Sequence, residues 1–178
     1  MLELLQTWLQ GHGLSESLTF YFSRGIAAMI VLLLSVIVDF IAKRYILKSL
    51  TFIITRSKTK WDDAVLRQGA PNRLAHLAPA VVIYVLTPFA LEGMDTAVTF
   101  IRGAAQIYMI IILMLVLDAL LNTLEEIYRG FRASKEIPIK GFIQITKIAL
   151  YFLSAIFVIS ILLNKTPFFL LSGIGALT

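Results

Sequence analysis

An all-α membrane protein, a bundle of about four transmembrane helices plus the start of a fifth, is the fold class this 178-residue sequence predicts. Three observations carry the prediction. Apolar residues make up 58% of the chain and charged residues only 15%, against about 45–50% and about 25% in a water-soluble domain. The apolar residues gather in four mostly apolar runs, each near the roughly 20 residues that cross about 30 Å of hydrocarbon. Those runs lack the strict alternation of a membrane β-barrel. Hydrocarbon offers no partner to a bare N–H or C=O, so helices are the economical way across.

The elements follow in order. Residues 1–19 form an external N-terminal segment. Leu2, Leu5, Trp8 and Leu9 share one helical face there, which reads either as a helix lying in the interface or as a frayed terminus. The first span covers residues 20–42, entered through Phe20-Tyr21-Phe22, an aromatic-belt composition. A basic loop, 43–73, leads to the second span at 74–91. A short loop, 92–99, precedes the third span at 100–121. A second basic loop, 122–141, precedes the fourth span at 142–163, and residues 164–178 hold a turn and the beginning of a fifth helix.

Charge sets the expected orientation. Twelve of the 16 lysines and arginines lie in the two loops: eight from Lys43 to Arg73 and four from Arg129 to Lys140. The 92–99 loop has only Glu92 and Asp95. Basic loops are retained on the cytoplasmic side, so the N-terminus is expected outside and both basic loops inside. The formal charge of +5 is therefore read as loop retention and not as a nucleic-acid footprint. The N-terminus lacks the basic start and small-residue cleavage site of a removable signal peptide.

Polar residues inside spans are functional candidates by default. Asp39 and Lys43 are four apart with the acid first, the better order for an ion pair on one helix face, and are read as fixing the inner end of the first span. Asp118 and Asn122, one turn apart in the third span, are read as a contact between neighbouring helices. Lys147 is expected to snorkel to the inner interface. None of these is expected to have the clustering of a coupled transporter. Pro88 marks either a hinge or the outer end of the second span, whereas Pro79 lies near the start, where a lost backbone bond costs little. Residues 59–66 read either as an interfacial helix anchored by Trp61, with Thr59 as its cap, or as a solvated loop.

Thr166-Pro167 has the form of a helix start, with Thr as cap and Pro at the first position. From Pro167 to Thr178 the helix would be about 18 Å long at 1.5 Å per residue, too short to cross, so it is expected to continue beyond Thr178. Gly173, Gly175 and Ala176 follow Ser172 as a run of small residues. Such a run admits close helix contact, either around a pore shared by several copies or in an ordinary helix pair.

Several segments resemble a known family when taken in order. Lys60-Trp61-Asp62-Asp63, Arg73 to Ala80, Leu117-Asp118-Ala119-Leu120-Leu121-Asn122, Pro138-Ile139-Lys140-Gly141-Phe142 and Ser172 to Leu177 resemble the membrane region of the small-conductance mechanosensitive channels, in their miniconductance branch. The resemblance implies a bacterial inner-membrane channel with five spans per subunit, opened by membrane stretch under hypo-osmotic shock. It further implies outer helices that sense tension, a last, pore-lining helix that begins around Gly173, Gly175 and Ala176, a following cytoplasmic domain, and assembly with copies of itself, usually as heptamers. Its partners would be the lipid bilayer, and inorganic ions and small solutes in the complete channel. Thr178 falls before most of that pore helix, so these residues alone are not expected to conduct.

An enzyme is not expected. There is no cysteine, no phosphate-cradling glycine loop and no nucleophile–base pair. His12 and His76 are expected on opposite sides of the membrane, so neither a metal nor another cofactor is expected. The competing readings are a fragment of a secondary transporter, which would show broken helices with midplane polar groups, and a non-catalytic membrane scaffold.

Overall fold

A computed structural model describes residues 15–56, 60–129 and 139–175 of the chain. These residues are almost wholly helical and contain no strand. The helices are α1 (Glu16–Arg56), α2 (Lys60–Arg67), α3 (Ala70–Ala75), α4 (Leu77–Ala90), α5 (Asp95–Arg129), α6 (Ile139–Leu162) and α7 (Pro167–Gly175). Four stretches are long and apolar enough to cross a membrane: the first 30 residues of α1, the 21 residues of α3 with α4, and the whole of α5 and of α6. The expected fold class is the one observed.

Two spans run well past the lengths read from hydropathy. At 1.5 Å per residue, the 41 residues of α1 measure about 60 Å, and the 35 of α5 about 52 Å. Hydrocarbon accounts for about 30 Å of either. Thus Lys43, Arg44 and Lys48, assigned to the 43–73 loop, continue helix α1, and residues 122–129, assigned to the second loop, continue α5. The apolar run ends where lipid ends, but backbone hydrogen bonding does not stop there. Most of the rest of the 43–73 loop is also helical, as α2 and α3.

The second span is interrupted near its start. α3 ends at Ala75 and α4 begins at Leu77, with His76 between them. Pro79 explains the position: it lacks an N–H, and its ring crowds the carbonyl four residues earlier, which is that of Ala75. Helix α4 instead continues through Pro88 to Ala90. The discontinuity is therefore at His76, and Pro88, read as a hinge or as the outer end of the span, lies two residues before the end of α4.

The turns follow from local chemistry. Gly69, with φ +71°, joins α2 to α3, and Gly93, with φ +83°, joins α4 to α5. Both adopt the left-handed conformation that glycine enters without steric cost. Gly93 also lies against Phe20, whose ring would be 3.4 Å from an added Cβ. After α6, Asn164 takes φ +51°, and the Lys165 N–H bonds back to the Ser160 carbonyl at 3.0 Å, the six-to-one closure of a left-handed helix cap. Thr166 then caps α7, accepting from the Phe169 N–H at 3.4 Å, and Pro167 takes the first helical position as expected.

Packing follows chain order: α1 on α3 and α4, α4 on α5, α5 on α6, and α6 on α7, while α2 rests on α5 and α3. The helices thus form a row of neighbours. One core, of Ala27, Ala90 and Leu91 with Val31, Val98 and Ile101 around them, joins α1, α4 and α5 at the end opposite the basic loops. Outside the seams, large apolar side chains are exposed: Met29, Leu33, Val36 and Phe40 on α1, and Phe142, Ile145, Ile148 and Phe152 on α6. So much apolar surface suits lipid and not water.

A polar cluster at the α5–α6 seam

α5 and α6 are antiparallel neighbours, so residues equally far in sequence from the midpoint between them lie at equal depth. Asp118 pairs in this way with Tyr151, and Asn122 with Lys147, both about a midpoint between residues 134 and 135. On each helix the two polar residues are four apart and therefore on one face. The result is a closed network. Tyr151 Oη donates to Asp118 Oδ1 at 2.7 Å, and Asn122 Nδ2 donates to Asp118 Oδ2 at 3.1 Å. Lys147 Nζ donates to Asn122 Oδ1 at 2.6 Å and lies 3.1 Å from Asp118 Oδ1. The Lys147 and Asp118 side chains are only 20% and 17% exposed.

A third helix bonds to α5 one turn away. Arg73 of α3 donates from Nη1 to the Leu115 carbonyl at 2.7 Å, one turn before Asp118. Both Asp118 carboxylate oxygens carry donors. Such saturation holds helices together in a solvent with no competing hydrogen bonds. The expected contact of Asp118 and Asn122 with a neighbouring helix is observed. Lys147 finds its charge and hydrogen-bond partners sideways, in Asp118 and Asn122 of α5. Asp118, Asn122, Lys147 and Tyr151 therefore form one group.

The other candidates lie at separate places. Lys43 Nζ donates to Asp39 Oδ2 at 2.7 Å, as its spacing implied. His76 Nδ1 stands 3.6 Å from Asp39 Oδ1, and Ser35 Oγ donates to the Pro79 carbonyl at 3.2 Å, so α1 is tied to the α3–α4 junction. Residues 60–67 are helical, as one of the two readings had it. Arg67 and Gln68 reach Glu126 on α5 at 2.5 and 3.1 Å. The side chain of Trp61 lies outside the described residues, as do residues 1–14, Thr59 and Ala176. Gly173 and Gly175 are exposed on α7, and a Cβ added to either would meet nothing within 4 Å.

Sequence reading missed two arginines at the opposite end. Arg24, 7% exposed, donates from Nε to the Glu92 carbonyl at 2.7 Å and stacks 5.0 Å from the Phe20 ring centre. Arg102 lies 4.2 Å over the Tyr84 ring, whose hydroxyl accepts from Gln106 at 3.3 Å. Both use cation–π contact in place of a carboxylate. Among the described residues no group of three or more metal-ligating side chains converges. No family model and no solved structure matches the chain.

Proposed function

We propose that this chain is the tension-sensing membrane region of a mechanosensitive ion channel, opened by membrane stretch in a bacterial inner membrane. The observation that carries the reading is the row of helices with wide apolar faces, ending in α7, which packs on α6 and displays Gly173 and Gly175. Stretch favours whichever state occupies more membrane area, and acts only through that difference. A row of neighbours exposes more helix surface to lipid than a closed bundle does, so its tilt changes area readily. The small residues of α7 suit close packing against copies of itself around a pore, in line with the ordered motifs that resemble the miniconductance channels. Lys43, Arg67, Arg73 and Arg129 lie toward one end of the row, which supports a cytoplasmic location for that end and a periplasmic N-terminus.

The test is a patch recording of the complete gene product under suction. Stepwise currents before membrane rupture are expected; their absence up to rupture refutes the reading. The Asp118–Lys147 pair favours a second reading, a secondary transporter, because charged pairs within membranes also mark transport paths. Substrate-dependent uptake by the same protein, without tension-dependent current, would establish it. A membrane scaffold would show neither activity.

A further inference from the structure

The α5–α6 seam is unequal along its length. At one end lie the four linked side chains Asp118, Asn122, Lys147 and Tyr151, with directional bonds of 2.6 to 3.1 Å. Toward the other end the two helices meet through apolar atoms. Gly103 lies against Ile161, where an added Cβ would be 3.7 Å from Ile161 Cγ2. Ile156 and Ser160 are buried there, but the Ser160 hydroxyl donates to the Lys165 carbonyl of its own turn and not to α5. Beside this region opens a crevice of about 580 Å³, lined by Phe100, Gly103, Ala104, Gln106, Ile161 and Lys165 among others.

The two ends differ in what lipid can replace. Acyl chains are as apolar as Leu or Ile, so apolar side chains that part from a neighbouring helix find much the same packing in lipid. A charged pair or hydroxyl–carboxylate bond finds no such substitute in hydrocarbon. The strength of the seam is therefore concentrated at the polar end.

We propose that the Asp118–Lys147 cluster is a pivot, about which α6, carrying α7, swings relative to α5 while the crevice between Phe100 and Ile161 opens and closes. The packing of α7 on α6 carries it with the moving element. The proposal goes beyond the channel reading and does not rest on it, since any function would inherit the same seam.

The chain has no cysteine, so introduced cysteines are the only labelling sites. Paired nitroxides at F100C/L162C report the crevice end and at L124C/I145C the polar end; all four side chains are more than half exposed. Distances are read by pulsed electron resonance in bilayer nanodiscs, with labelled chain diluted by unlabelled chain. A single narrow distribution is expected at the polar end, and a broad or two-peaked one at the crevice end. Lys147→Met should abolish the narrow peak, and Lys147→Arg should keep it. A crevice-end distribution as narrow as the polar-end one overturns the proposal, as does a polar-end peak untouched by Lys147→Met. If Lys147→Met fails to fold, the comparison of the two pairs in the otherwise unaltered chain decides.

Discussion

Replacing Lys147 by Met keeps the length of the side chain and deletes its charge, which isolates the electrostatic part of the α5–α6 seam. Removing one partner of a buried ion pair costs about 3–5 kcal/mol, because the other charge is left uncompensated. Here Asp118 keeps Tyr151 at 2.7 Å and Asn122 at 3.1 Å, so the loss is smaller. The Lys147 contacts are charge-assisted, for which about 1.5–3 kcal/mol is usual. Side-chain hydrogen bonds within membranes average only about 0.6 kcal/mol, because the unfolded chain also finds partners there. The expected destabilisation is therefore about 1–2 kcal/mol, between the membrane average and the middle of the charge-assisted range.

The decisive comparison is with Asp118→Asn and with the double variant D118N/K147M. Neutralising both groups removes the stranded carboxylate, so the double variant should cost less than the two single changes together, by more than about 1 kcal/mol. Reversible unfolding in mixed micelles, followed by circular dichroism, measures all three. Additivity within about 0.5 kcal/mol would show that the two residues do not interact energetically, and the account of the cluster would fail.

Two further predictions concern packing and turn geometry. Ala119 is fully buried in α5, one residue from Asp118, so Ala119→Leu should cost about 1–3 kcal/mol by overpacking; Leu113→Ala, at a side chain 48% exposed, is the control and should change stability far less in the same assay. Gly69 has φ +71° with nothing within 4 Å of an added Cβ, so Gly69→Ala should cost only the backbone penalty of about 1–2 kcal/mol, and Gly69→Asn less; a larger loss for alanine in thermal unfolding would mean a steric clash at that turn.

The four spanning-length helices, the helical class and the distribution of basic residues were legible in the chain because hydrocarbon imposes length and composition on anything that crosses it. So were the Asp39–Lys43 pair and the Thr166-Pro167 helix start, since each depends on residues a turn or less apart. Helix ends were less legible. α1 and α5 outrun their apolar runs because hydropathy senses the solvent and not the backbone ladder. Pro79 and Pro88 look alike in sequence, yet α4 runs unbroken through one and starts just before the other.

The fate of Lys147 shows where local reading stops. Seen alone, a lysine five residues into a span has water or headgroups within reach of its stem, and snorkelling is the expected outcome. The register of α5 against α6 brings a carboxylate and an amide within reach of its ammonium, partners that nothing on α6 alone announces. The i,i+4 spacing on each helix was visible beforehand. Which faces of which helices meet was decided by packing, because in lipid no hydrophobic drive selects one apolar face over another. The order of residues dictates which stretches are fit to cross hydrocarbon, and the folded arrangement chooses which polar groups find each other inside it.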